Sequence, residues 1–193
     1  KHETSLRETF LFDFLVVEEG KISCVDKICT IPDSCHVFEL DGDTTITPGF
    51  IEASSSLGLI DIPAESHTND GESDIHSQDV FAKDGIKMDS KSIEAAWRAG
   101  ITTSITHRVG KALINGRSVA FHTFGTTLSA SNLIENQVSL QISIGTHTRG
   151  KTSGASSISA QIATLRSFFA SAKLELDKEA VGSVEEVEPE VKE

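Results

Sequence analysis

Basic residues are scarce in this chain: 17 Lys and Arg stand against 29 Asp and Glu, for a net charge of −12. Binding DNA or RNA through the backbone needs clustered cations to neutralise phosphates, and so does docking on an anionic membrane surface; the balance argues against both. No apolar run approaches the ~20 residues that cross a bilayer. The start carries no basic segment followed by an apolar one of the signal-peptide kind, and no Asn-x-Ser/Thr acceptor occurs anywhere. The chain begins with Lys1 rather than Met, so it reads as a processed or partial piece, and missing N-terminal signals exclude nothing. Cysteine is also sparse, with Cys24, Cys29 and Cys35 in one short window. An odd count without a signal peptide favours reduced thiols and a cytoplasmic chain. The spacing has no fitting histidine partner, since His36 is adjacent to Cys35, and it argues for ordinary thiols over a zinc site.

What is present suffices for one medium domain, or a small one plus part of another: 193 residues, 38% of them hydrophobic. Asp13 to Val25 reads as a hairpin turning at Glu18-Glu19-Gly20-Lys21. Val37–Leu40 and Thr44–Ile46 read as short strands around an Asp41-Gly42-Asp43 turn. Pro48-Gly49 then separates this β-module from a short buried strand, Phe50–Ala53. Residues 60–87 are polar and aperiodic, which predicts a long loop. Asp89 or Ser90 caps a predicted helix that stops at Gly100. Its face Ile93, Ala96, Trp97 and Gly100 predicts that Trp97 packs on a sheet. Ile101–Ile105 follows as a strand, and loop, helix, glycine and strand in this order make a βα half-unit of a parallel α/β fold. Asn115-Gly116 gives a second hairpin signal, Leu140–Ile144 another strand, and 157–174 a helix with Ile158, Ile162, Leu165, Phe169 and Ala172 on its apolar face. Beyond it lies a run rich in Glu and Asp, which predicts a solvated, disordered tail over 177–193.

The stretch Thr47-Pro48-Gly49-Phe50-Ile51-Glu52-Ala53-Ser54-Ser55-Ser56-Leu57-Gly58-Leu59 resembles the first barrel strand of the amidohydrolase superfamily, where a Pro-Gly turn leads into a strand ending in His-x-His. Further pieces follow in the family's order: His67-Thr68-Asn69-Asp70, Asp84-Gly85-Ile86, Asp89, Ala95-Ala96, Ala99-Gly100-Ile101-Thr102-Thr103 and Asn115-Gly116-Arg117-Ser118. Together they are similar to imidazolonepropionase-like and carbohydrate-deacetylase-like members across residues 13–172. The resemblance implies an α/β fold: a small N-terminal β-sandwich module (1–47), then the first βα units of an incomplete TIM-like barrel (48–176), then the acidic tail. A full barrel takes ~200 residues or more by itself. The missing barrel half or a homo-oligomer partner is therefore expected to complete it. The implied activity is hydrolysis of carbon–nitrogen bonds other than peptide bonds, dependent on a divalent metal such as zinc.

One departure changes that expectation. The two signature histidines fall on Ser54 and Ser56, and a hydroxyl is a poor ligand where imidazole or carboxylate is strong. These are degenerate metal positions, and no cofactor is expected in this chain. Two readings follow: a catalytically degenerate hydrolase, or a non-catalytic structural or interaction module completed by another segment or chain. Glu52 stands where the family usually has Asp, and suits a strand-end hydrogen-bonding group better than a general base. His107, His122 and His147 each follow a β-like run, as barrel-rim residues do; three imidazoles there would be either solvated rim groups or ligands of a rearranged zinc site. Asp70–Asp74 is not an EF-hand, because Ile75 and Phe81 hold the positions of its Gly and Glu. Gly110-Lys111 is not a P-loop, because Ile105 replaces the first Gly. Ser54, Ser55 and Ser56 lie outside any Gly-x-Ser-x-Gly elbow and have no base identifiable in the sequence, which favours a structural role over a nucleophilic one.

Overall fold

The computed structural model describes residues 11–72, 78–148 and 157–185, with backbone alone for 147 and 181–185. The chain divides into two units, Lys1–Ile46 and Thr47–Glu193.

In the first unit, β1 (Phe14–Glu18) and β2 (Lys21–Asp26) form the predicted antiparallel hairpin. Glu19 and Gly20 both have positive φ, 49° and 76°, as the two-residue turn that matches strand twist requires. Gly20 adopts this freely; Glu19 carries a Cβ into the left-handed region. Two expectations are corrected here. Cys24 and Cys29 form a disulfide, and only Cys35 is a free, exposed thiol. The bend after β2 brings their Cα atoms to 6.1 Å, a geometry that cysteine counting does not see. So short a loop removes about 2 kcal/mol of unfolded-chain entropy. Val37–Leu40 and Thr44–Ile46 are not strands. Only their connecting turn survives, closed by Thr44 N donating to Asp41 O at 2.9 Å. β-prone residues without a ladder to join do not make a strand, and Val37, Phe38 and Leu40 are exposed. Among the described residues, this unit holds a single two-stranded sheet.

In the second unit, β3 (Phe50–Ser55), α1 (Lys91–Arg98) and β4 (Ile101–Thr106) form the predicted βα unit, with β3 and β4 parallel. Pro48-Gly49 enters it at close quarters: a Cβ at Gly49 would lie 2.1 Å from Thr102 Oγ1. The Ser90 hydroxyl caps α1 by accepting from Ile93 N at 3.4 Å, and Gly100 ends it with φ 88°. Ile93 and Ala96 are buried, but Trp97 is 49% exposed beneath the Arg98 guanidinium. Successive helix positions turn by about 100°, so the residue after Ala96 leaves the buried stripe.

Four more strands follow: β5 (Ile114–Arg117), β6 (Val119–His122), β7 (Leu133–Glu135) and β8 (Leu140–Ile142). The larger sheet has the order β3-β4-β6-β7, with β6 antiparallel to both β4 and β7; β5 and β8 pair separately. Parallel progression therefore stops at β4, and the fold is mixed α/β with several small sheets. Asn115-Gly116 is not a hairpin turn but lies inside β5. Gly116, at φ 92°, serves close approach: a Cβ there would meet the Val80 carbonyl oxygen at 2.2 Å, and Arg117 N donates to that same oxygen at 2.7 Å.

The main core joins Leu59, Ala82, Met88 and Ile93 to Val119 and Phe121 of β6. The stretch 60–87 is thus more than a polar loop, since it supplies Ala82 and forms turns at Ser66–Thr68 and Ala82–Gly85. A second cluster packs Leu165 of α2 (Ile158–Glu185) on Leu113 and Ile114. Buried Gln161 clamps the Gly145 backbone, accepting from its N–H and donating to its carbonyl, both at 2.9 Å. Where an acidic tail is expected from 177, α2 continues to Glu185; 186–193 lie outside the described residues. Ala, Glu and Lys sustain a helix without an apolar face, and Lys178 pairs with Glu175 one turn away.

Two outcomes are expected. Glu19→Asn, better suited to left-handed backbone, should stabilise the hairpin by up to about 1 kcal/mol, read as slower amide exchange in the β1–β2 ladder. Hydrogen bonds from Lys91 and Arg98 hold the Glu94 carboxylate below its ordinary pKa. Its contribution is therefore full above the ordinary carboxylate range and lost as pH falls through the depressed folded value. The thermal midpoint difference between wild type and Glu94→Gln should shrink on acidification, and also at high salt.

Candidate functional site

The carboxyl ends of parallel strands are where α/β folds gather polar side chains, and β3 and β4 end together in hydroxyls and an imidazole. Glu52 opposes Ser104 and Ser55 opposes Thr106, so β3 spends three residues where β4 spends two. Such a bulge re-aims a side chain. Ser55 stays with Ser104 and Thr106, while Ser54 turns to His107, the residue after β4.

Ser55, Ser104 and Thr106 form a closed chain of hydroxyls. Thr106 donates to Leu57 O at 3.0 Å. With that proton committed, Thr106 Oγ1 acts as acceptor toward Ser104 Oγ at 3.1 Å and Ser55 Oγ at 3.4 Å, and the two serine hydroxyls lie 3.0 Å apart. Ser55 Oγ accepts from Leu57 N at 3.3 Å. Ser104 and Thr106 are wholly buried, so each needs these partners.

Ser54 is exposed, and its Oγ lies 2.9 Å from His107 Nε2. His107 Nδ1 lies 3.2 Å from the carbonyl oxygen of Arg108. A carbonyl only accepts, so the ring proton sits on Nδ1 and Nε2 presents its lone pair to the Ser54 hydroxyl. His107 N donates to Ser55 O at 2.9 Å, which ties the imidazole to the bulge. Arg108 Nε donates to Asp70 O at 3.3 Å. Partial burial lowers the Arg108 pKa, with the Asp70 charge opposing, and Lys87 pairs with Asp70 at 2.9 Å.

Ser56 and Glu52 line an open cleft of about 580 Å³ with Ser55, Asp61 and Ser92. Glu52 Oε1 also accepts from Ser54 N at 3.4 Å. A cleft of about 620 Å³ lies away from these groups, between β8 and α2. Its Arg117 is held by Gln78 O and the Gln137 side chain and stacks on Phe81.

His107 and His122 do not converge. His122 opposes Thr103, to which it bonds through Nδ1 at 3.1 Å, and it stacks against Phe124. It sits near the start of β4, whereas His107 follows its end. The His147 side chain lies outside the described residues. Among the described residues, no three His, Cys, Asp or Glu side chains gather as metal ligands. Ser54 and Ser56 offer only neutral hydroxyls, and Ser54 already faces the lone pair of His107, a donor set that does not suit zinc. The Ser54–His107 pair is not visible in the sequence, because its members lie 53 residues apart. The usable signal was that both lie at the ends of the strands of one βα unit, which end side by side.

Among solved structures, the chain is similar to an amidohydrolase from Thermotoga maritima MSB8, with a TM-score of 0.76 and 19% identity over 93% of this chain. The chain spans about half of that structure, 48% of its length. The likeness shows an amidohydrolase-like fold. No family model and no curated protein sequence matches the chain.

Thr106→Val would take one partner from the buried Ser104 hydroxyl and the side-chain donor from the Leu57 carbonyl, and should cost about 1–3 kcal/mol. Ser54→Ala, at an exposed hydroxyl, should stay within about 0.5 kcal/mol of wild type. Urea unfolding of both variants measures the contrast.

Proposed function

We propose that this chain descends from metal-dependent hydrolases of non-peptide carbon–nitrogen bonds and has lost their metal chemistry. In such enzymes the bound metal polarises the scissile carbonyl and acidifies a water. The observation that supports the reading is that hydroxyls, Ser54 and Ser56, stand where the resemblance leads one to expect histidines, with the Ser54 hydroxyl engaged by His107. A lone imidazole in that arrangement is no chelate.

A structural role, as part of an assembly, does not need that chemistry. β3 is an edge strand with Phe50 and Ile51 exposed, and an apolar edge of this kind is a template for another strand. The partner in this reading is the missing barrel half or a second copy of the chain.

Metal content separates this reading from a working metallohydrolase. After exposure to excess zinc, manganese or iron and dialysis, the purified protein should hold well under one ion per chain, unchanged by His107→Ala. One ion per chain, lost in that variant, would reinstate metal catalysis on a rearranged site.

A further inference from the structure

The hydroxyl that stands in place of a metal ligand is also the best-placed nucleophile on the described surface. It is exposed, 2.9 Å from an imidazole nitrogen, and that nitrogen is fixed as the acceptor by the Arg108 carbonyl at 3.2 Å. The bulge in β3 aims it, and the backbone bond from His107 N to Ser55 O holds base and nucleophile on one frame. These are the relations an activated serine requires: a base within hydrogen-bond reach, in the correct tautomer, oriented by a third group.

We infer that Ser54 and His107 form a metal-independent nucleophile–base pair that takes an acyl group from activated esters. Ser54 Oγ attacks the ester carbonyl carbon while its proton passes to His107 Nε2. The bond from that carbon to the leaving oxygen breaks, and Nε2 returns the proton to the departing alkoxide, giving a free alcohol and an ester on Ser54. Water then attacks this ester, giving its proton to Nε2. Ser54 leaves as the hydroxyl on recovering that proton, and a carboxylic acid is released. No electrons are exchanged with any other reagent. The third member here is a neutral carbonyl, which stabilises an imidazolium less than a carboxylate would. The site is open rather than enclosed. Both features restrict the pair to acyl donors with good leaving groups, such as aryl esters.

The inference goes beyond the loss of metal chemistry and does not depend on it, so the test is run with a chelator present. The purified chain is treated with p-nitrophenyl acetate and, separately, with an alkyl fluorophosphonate; adducts are located by peptide mass spectrometry. Among the hydroxyl side chains, an adduct on Ser54 alone is expected. It should be absent in Ser54→Ala and form at least ~10-fold more slowly in His107→Gln, which keeps a polar group but no base. Wild type carries its own reference: Ser129 and Ser131 are exposed and bond to each other at 2.8 Å without an imidazole, and they should remain unmodified. Labelling of these serines as readily as Ser54, or an undiminished rate in folded His107→Gln, overturns the assignment.

Discussion

The register of β3 on β4 is the constraint from which the rest of the site follows. The two strands fall out of step twice, in opposite senses. Between Phe50 and Ile51, β4 advances by two residues, Ile101 to Thr103; between Glu52 and Ser55, β3 takes the extra one. The irregularities cancel, so both strands end aligned. Each leaves a mark. The extra residue on β4 is Thr102, whose side chain occupies the space a Cβ on Gly49 would need, and this gives the Pro-Gly turn its glycine. The extra residue on β3 puts Ser54 and Ser55 to different partners. Were the register regular, Ser54 could not bond to His107 while Ser55 joined the buried hydroxyls.

That buried chain holds the arrangement in place. Three hydroxyls in a core are a liability unless each donor and acceptor is matched. Here the three hydroxyls contact one another, and the Thr106 proton ends on the Leu57 carbonyl. The turn after β3 is thereby tied to β4 by side chains as well as by backbone.

Much of this was legible in the sequence, and the misses have physical causes. The helix over 91–98 and the strands flanking it were readable because cap, period and terminating glycine agree. The β1–β2 turn was readable because Glu-Gly sits between two apolar runs. Val37–Leu40 failed because a strand depends on its neighbour as much as on its own residues. Asn115-Gly116 failed because a glycine wanted for close approach to Val80 looks in sequence like one wanted for a turn. Of the candidate site residues, Ser54 and His107 meet, whereas His122 is turned to Thr103 at the other end of β4. Spacing along the chain could not separate these cases; strand direction does. β4 runs parallel to β3, so its end lies beside Ser54, while β6 runs antiparallel and carries His122 away.

The same geometry bears on what an edge partner can do. A bulge is one of the ways proteins blunt a sheet edge, and the one in β3 lies in its second half. A strand added to β3 would find regular backbone only over its first residues, where Phe50 and Ile51 offer exposed apolar surface. Past Glu52 the ladder is interrupted, and the Ser54 side chain is committed to His107, just past the end of β4. Assembly through the edge and access to the serine are therefore compatible, because they use different halves of one strand.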